Sequence, residues 1–140
     1  MKFRTVADTN IIIAGLKNPG KESPNKKYIE LWLKDKFDFL YSDDIQNEFI
    51  EKLLYLNVPE KVIEQFIMAI KKLGFYVPIK LFHLPAYPPD FDDIAFVLCA
   101  YNGNASHLIS NDKHLLYGLT YRFEFKVCNI FDFLKELQLA

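Results

Sequence analysis

The sequence predicts an α/β domain with a mostly parallel central sheet, and three observations support this prediction. Strand-like and helix-like segments alternate along the chain, which is the order of a parallel sheet with helices on both faces. The 140 residues contain no repeat or linker, so residues 1–140 are predicted to form a single domain. The composition, 51% hydrophobic and 25% charged, is that of an ordinary globular protein.

The predicted elements follow from apolar periodicity and from residues that start or stop helices. Strands are predicted at 3–7, 37–41, 75–79, 107–110 and 123–127. Helices are predicted at 26–36, at 42–55 with Ser42 as N-cap, from Pro59 to a stop at Gly74, and at 91–101, 114–119 and 130–137. The isoleucines at 11–13 suit a strand or a helix, and we place a helix start there because Asp8 or Thr9 can act as its N-cap. The proline-rich segment 81–89 is a predicted loop.

Acidic residues follow predicted strands or accompany predicted helices at four places. Asp8 comes directly after the first strand, and Asp112 follows the 107–110 strand. Ligand sites of parallel sheets lie at the carboxyl ends of the strands, near the point where the strand order reverses. Both acids would therefore project from the same edge if these two strands are parallel neighbours. Glu48 and Asp93 come from helices that begin just after a strand or a loop.

Each of these acids has an ordinary structural explanation when taken alone. Asp8 and Asp93 can be helix N-caps. Glu48 can be a solvated helix residue, and Asp112 can belong to a turn. The surroundings of Asp8 are apolar, however, and a buried carboxylate needs a partner that no Lys or Arg in register supplies. A divalent cation between several carboxylates would supply it, as in metal-dependent phosphodiesterases.

The residue types indicate which cation would bind and in which cellular compartment the protein is expected. Carboxylate ligands indicate Mg²⁺ or Mn²⁺ rather than zinc, and His107 and His114 lack zinc-site spacing, so both are predicted to be structural. Cys99 and Cys128 have no CxxC spacing and are predicted to be reduced core residues. With no visible signal peptide and no apolar run that could cross a bilayer, the protein is expected in the cytoplasm. The net charge of −1 permits a nucleic-acid partner without requiring one.

The acidic segments and their neighbours together resemble the successive motifs of the PIN domain family. The motifs are Val6-Ala7-Asp8-Thr9-Asn10-Ile11, Ser42 with Glu48-Phe49, Asp93 before 94–100, and Leu108-Ile109-Ser110-Asn111-Asp112. The resemblance extends over nearly the whole chain. It implies a three-layer α/β/α fold and, as in many members, a Mg²⁺- or Mn²⁺-dependent ribonuclease.

The resemblance also implies which residues form the site. Four residues, here called the acidic quartet, are implied to bind the metal and to be catalytic: Asp8, Glu48, Asp93 and Asp112. Asn10 and Ser110 are implied to orient the carboxylates through hydrogen bonds. The third ligand could be either Asp92 or Asp93. Asp93 is favoured because it keeps the family's register with the following strand, and Asp92 is then an outer acid.

The expected substrate is single-stranded RNA. The resemblance to the family also implies protein partners. Single-domain members of this length are commonly toxins of VapBC-type toxin–antitoxin pairs, so an antitoxin protein is an expected partner. A homodimer is expected from the family and from apolar side chains predicted to be exposed, namely Tyr55, Leu56 and Phe66. Tyr87 and Phe91 are candidates for base stacking, although either can equally belong to the core.

Other functional classes fit less well. A haloacid-dehalogenase-like phosphatase would need a second Asp where the chain has Asn10. A response-regulator receiver would need paired acids after the first strand, and the chain has only Asp8 there. The remaining alternative is a non-catalytic PIN-like module that acts by binding a protein or a nucleic acid.

Overall fold

A five-stranded sheet is the centre of the computed structural model, which describes residues 2–18, 20–118 and 123–139. The strands are β1 (Arg4–Ala7), β2 (Asp38–Tyr41), β3 (Phe75–Tyr76), β4 (His107–Ile109) and β5 (Lys126–Cys128). All neighbouring strands are parallel, and their order across the sheet is β3-β2-β1-β4-β5. The predicted α/β class with a parallel sheet is therefore confirmed.

Helices cover both faces of this sheet. They are α1 (Thr9–Lys17), α2 (Pro24–Leu33), α3 (Asp43–Tyr55), α4 (Glu60–Leu73), α5 (Ile94–Asn102), α6 (Lys113–Gly118) and α7 (Ile130–Leu139), with a 3₁₀ turn, Phe91–Asp93, directly before α5. The right-handed crossovers usual for parallel sheets put α2 and α4 on one face and α5 and α6 on the other. The last helix, α7, packs against α2 and β4. No helix in the described ranges is long and apolar enough to cross a membrane.

Helix starts were predicted well because capping side chains mark them. Asp8 caps α1, which settles the ambiguous isoleucine run as helix, and Ser42 caps α3 as predicted. The helix predicted at 26–36 begins two residues earlier, at Pro24, because Ser23 accepts a hydrogen bond from the backbone N–H of Lys26. Of the helix predicted at 114–119, residue 119 lies outside the described residues.

The two strands farthest from the centre were predicted too long or out of place. The predicted 75–79 strand contains only Phe75–Tyr76, since Pro78 has no N–H to donate to the neighbouring strand. The predicted 123–127 strand is instead Lys126–Cys128. Phe123 and Phe125 stack on each other with ring centroids 4.6 Å apart, so their aromatic character reflects side-chain packing rather than strand pairing.

Close packing of α1 on α2 fixes the first helix relative to the sheet. A Cβ on Gly15 would lie 2.5 Å from Ile29 Cδ1 and 2.9 Å from the Asn25 carbonyl oxygen, so only glycine allows this approach. Beneath the helices, the buried Tyr28 hydroxyl is 2.8 Å from Thr5 Oγ1 of β1. These contacts pack α1 on α2 and α2 on β1.

The remaining core predictions have mixed outcomes. Cys99 and Cys128 are buried free thiols, as expected, and burial raises the pKa of each to about 12. The prediction that Phe66 is exposed is wrong: the side chain is only 4% exposed. Its ring packs against Trp32 and Phe49, because the strongly amphipathic α4 turns this face to the sheet.

Candidate active site at the carboxyl ends of the strands

The site lies where the strand order reverses. The chain runs from β1 to β2 to β3 in one direction and then returns to place β4 on the other side of β1. Ala7 of β1 pairs with Ile109 of β4, and the next backbone N–H, that of Asp8, donates to the Ile109 carbonyl oxygen at 3.0 Å. Asp8 and the residues after β4 therefore share one crevice, as the sequence predicted.

Both carboxylate oxygens of Asp8 are held by neighbouring groups. Oδ1 accepts a hydrogen bond from the backbone N–H of Ile11 at 3.2 Å, so Asp8 is a true N-cap. Oδ2 accepts from the Ser110 hydroxyl. The side chain is only 5% exposed. Asp8 is therefore the N-cap of α1, and this role leaves Oδ2 directed toward the residues after β4.

Ser110 connects two members of the acidic quartet. Its buried hydroxyl donates to Asp8 and accepts a hydrogen bond from the backbone N–H of Asp112 at 3.0 Å. The residues after β4 are therefore tied to the end of β1 by one side chain.

Thr9, predicted from the sequence only as a possible N-cap, orients Glu48. The Thr9 hydroxyl donates to Glu48 Oε2, and this contact joins the first turn of α1 to α3. The sequence feature that could have indicated this role is a hydroxyl side chain directly after the candidate ligand Asp8. Asn10, by contrast, is exposed, and its backbone N–H rather than its side chain stabilises the charge of Asp8.

Asp93 is the most perturbed carboxylate of the site. It ends the 3₁₀ turn before α5, and its buried Oδ2 has no hydrogen-bond partner in the part of the chain that the structure describes. The pKa of Asp93 is raised to about 6, mainly by burial and to a smaller extent by the charges of Asp90, Asp112, Asp8 and Glu48, in that order. The other three members of the quartet are thus close enough to repel the charge on Asp93.

The structure distinguishes Asp93 from its neighbour Asp92. The side chain of Asp92 is exposed, while that of Asp93 is partly buried. Asp90 Oδ1 accepts a hydrogen bond from the backbone N–H of Asp92 at 3.0 Å, so Asp90 caps the turn. Of the two adjacent acids, Asp93 is the one directed toward the quartet.

Burial acts against the negative charge of Asp8 and Asp93. Burial raises the pKa of Asp8, and hydrogen bonds from Ser110, Ile11 and Asn10 only partly oppose that effect. Within the described ranges, no Lys, Arg or His side chain forms an ion pair with Asp8, Glu48 or Asp93. Carboxylates in this situation are stabilised by an external cation.

The donor chemistry fits a hard divalent cation, but the side chains do not yet enclose one. All four candidate ligands are carboxylates, and the partnerless Oδ2 of Asp93 is a vacant acceptor. As placed, no three His, Cys, Asp or Glu side chains among the described residues could hold a metal ion. Binding would therefore require the carboxylates to move closer together.

Two exposed aromatic side chains lie on the chain just before Asp93. Phe91 is 82% exposed and Tyr87 is also exposed, so neither belongs to the core. The Tyr87 hydroxyl accepts a hydrogen bond from the backbone N–H of Leu84 at 3.3 Å, which restrains that ring. Both aromatic rings are available to a ligand.

The comparisons with known proteins agree with this geometry. A family model for the PIN domain matches residues 4–114, a range that runs from β1 into α6 and includes the whole acidic quartet. The chain belongs to the PIN domain family, whose members are generally nucleases. No curated protein matches the chain.

Proposed function

We propose that this protein is a Mg²⁺- or Mn²⁺-dependent endoribonuclease that cleaves single-stranded RNA. The observation that carries the proposal is the position of Asp93, whose pKa of about 6 reflects burial and the nearness of the other three quartet acids. A buried carboxylate with a raised pKa beside other acids, at a topological switch point, is typical of a metal-dependent hydrolytic site. The membership of the PIN domain family supports the nuclease class.

The acidic quartet would hold the cation, and the surrounding side chains would orient the quartet. When bound, Mg²⁺ or Mn²⁺ activates a water molecule and stabilises charge on a scissile phosphate. Ser110 holds Asp8, and Thr9 holds Glu48, each through a hydroxyl hydrogen bond to the carboxylate. The carboxylates are thereby restricted to one orientation, which lowers the cost of closing around a cation.

Single-stranded RNA is the proposed substrate because unpaired bases can stack. Phe91 exposes most of its ring two residues before Asp93, so a base stacked on it would bring a neighbouring phosphate near the site. A duplex would keep its bases paired and could not use this ring. The expected products are a 5′-phosphate and a 3′-hydroxyl.

The biological setting proposed for this activity is a cytoplasmic toxin with a cognate antitoxin. We also propose a homodimer, because Tyr55 is 81% exposed and Leu54 and Leu56 lie beside it, which leaves apolar area uncovered at the end of α3. Sedimentation at high micromolar concentration should show a dimer that Tyr55→Lys dissociates. A wild-type protein that remains monomeric would contradict the dimer without affecting the nuclease.

The test of the nuclease compares two adjacent acids. Purified protein is incubated with labelled single-stranded RNA and Mg²⁺ or Mn²⁺, beside Asp93→Asn, Asp92→Asn and an EDTA control. Cleavage should be lost in Asp93→Asn and with EDTA but retained in Asp92→Asn, whose side chain is exposed. Cleavage that survives Asp93→Asn would contradict the proposed site.

The non-catalytic module remains the second candidate function. It would be favoured if wild-type protein bound Mn²⁺ and RNA but cleaved neither single-stranded nor duplex RNA. Titrating Mn²⁺ into wild type and into Asp8→Asn would test cation binding separately from cleavage. Equal Mn²⁺ affinity in the two proteins would show that the quartet is not a cation site.

A further inference from the structure

A lysine-rimmed groove lies at the end of the sheet opposite the acidic quartet. Lys2 and Phe3 line it and immediately precede β1, and Lys36 lines it shortly before β2. The groove therefore opens at the amino ends of the strands, and about 16 Å of extended chain separates Phe3 from Asp8. Its volume is about 840 Å³.

Two helices provide an apolar floor for this groove. Leu31 comes from α2, and Leu134 and Leu137 come from α7, which packs beside α2. All three side chains are partly buried. Phe131, one turn before Leu134 on α7, is 66% exposed at the edge of the groove. The floor thus offers mainly aliphatic surface between two neighbouring helices.

The rim of the groove is positively charged. The charged side chains that line it are Lys2, Lys27, Lys36 and Lys135, with no acid among the lining residues. Lys2 is paired with the exposed Asp35 at 2.6 Å. In the described part of the chain, the other three form no ion pair. A ligand that fits the groove must therefore be apolar on one side and negatively charged at its borders.

We propose that this groove docks an amphipathic helix of a partner protein, with an apolar stripe bordered by Asp and Glu. A helix laid between α2 and α7 would place aliphatic side chains on the leucine floor and carboxylates beside the rim lysines. RNA phosphates would also attract the lysines, and Phe131 could stack with a base, but the three leucines between α2 and α7 form an apolar surface that aliphatic side chains of a helix fill better than polar nucleotides. The combination of floor and rim favours the acidic helix.

The test uses two peptides that differ only in charge. One is a fluorescent helical peptide of about 18 residues with leucines at i, i+3, i+4 and i+7 and Glu elsewhere, and the other has Lys in place of Glu. Fluorescence anisotropy measures their affinities for the full chain. The acidic peptide should bind at least about 10-fold more tightly than the basic one.

Charge reversal of the rim should exchange these preferences. The variant with Lys27→Glu and Lys135→Glu should bind the acidic peptide about 10-fold more weakly than wild type and the basic peptide more tightly. A matched control carries Lys61→Glu and Lys72→Glu, two exposed changes on α4 with the same change in net charge. This control should change either affinity by less than about two-fold. Circular dichroism and melting temperature verify that both variants fold.

A second variant tests the apolar side chain at the edge of the groove, and two competitors test other ligands. Phe131→Ser should weaken binding of the acidic peptide about 5-fold, because an exposed apolar ring is lost. The salt dependence of binding should not change, because the substitution removes no charge. The proposal would be overturned if the α4 control lost as much affinity for the acidic peptide as the Lys27→Glu and Lys135→Glu variant. So would single-stranded RNA or phosphatidylglycerol vesicles that bind the rim more tightly than the acidic peptide and lose binding in the double variant.

Discussion

Carboxylates at the two ends of the sheet differ in whether the protein supplies them with positively charged partners. At the carboxyl ends, Asp8 and Asp93 have raised pKa values, and no described cationic side chain pairs with them. At the amino ends, Glu136 of α7 is 3.0 Å from His107 Nε2 and 3.2 Å from Lys126 Nζ. Burial acts to raise the pKa of Glu136, but these hydrogen bonds and charges hold it below its usual value.

This difference separates a carboxylate that is paired within the fold from carboxylates that are candidate ligands. Glu136 joins α7 to the first residues of β4 and β5, and the fold itself supplies its counter-charges. The acidic quartet comes from the ends of β1 and β4, from α3 and from the turn before α5, and no described cationic side chain forms an ion pair with Asp8, Glu48 or Asp93. Acids whose ionised form is destabilised in this way are the better candidates for ligand binding. The following predictions test this contrast.

The largest expected effect is on RNA cleavage. Asp8→Asn should reduce kcat/KM at least about 100-fold, because it removes a candidate ligand, whereas Glu136→Gln should stay within about two-fold. Initial rates with excess labelled RNA, measured below the melting temperature of each variant, check the prediction. An equal loss in both variants would show that the two ends do not differ in function.

The hydroxyls that orient the quartet should have a smaller effect. Ser110→Ala removes the donor to Asp8, and Thr9→Val removes the donor to Glu48, so each should lower kcat/KM about 10-fold. Ser110→Ala should also raise the pKa of Asp8 further and move the acidic limb of the pH–rate profile to higher pH. Restoration by Thr9→Ser is the matched control, and full activity in Thr9→Val would contradict an orienting role.

Stability at the amino end should depend on Glu136. Replacing it by Gln should cost about 1 kcal/mol at pH 7, because the buried His107 loses a charge-assisted hydrogen bond. A folded-state pKa below the usual 4.5 stabilises the protein above that pH, and this contribution is lost as the pH falls through the lowered value. Urea unfolding from pH 3.5 to 7 should therefore show that the difference in free energy of unfolding between wild type and Glu136→Gln becomes smaller at low pH.

Stability at the carboxyl end should have the opposite pH dependence. The pKa of Asp93 is raised from 3.8 to about 6, so its stabilising contribution is present below 3.8 and lost as the pH rises through about 6. In EDTA, Asp93→Asn should be more stable than wild type at pH 7 by less than about 1 kcal/mol, since solvent screens a half-buried group. Asp92→Asn is the control. A loss of stability in Asp93→Asn would instead assign the residue a structural role.

Local chemistry in the sequence determined the alternation of strands and helices and most helix starts. Ser42 and Asp8 identify their helices because a side-chain cap acts within three residues, and such contacts need no knowledge of the fold. The sequence offered the parallel pairing of β1 with β4 only as a condition, because alternating strands and helices do not determine which strands are neighbours. The order of the four acidic segments likewise pointed to one edge.

Tertiary structure alone decided which side chains meet across that edge. The contact between Thr9 and Glu48, the burial of Asp93 beside the exposed Asp92, and the exposure of Asn10 all depend on how α1, α3 and the 3₁₀ turn are rotated. The burial of Phe66 and the shortening of β3 depend in the same way on neighbours distant in sequence. The lysine groove was equally invisible, since its walls come from residues about 100 positions apart on α2 and α7. Periodicity and capping report forces between residues that are close in the chain, whereas burial and charge balance arise only when distant segments pack together.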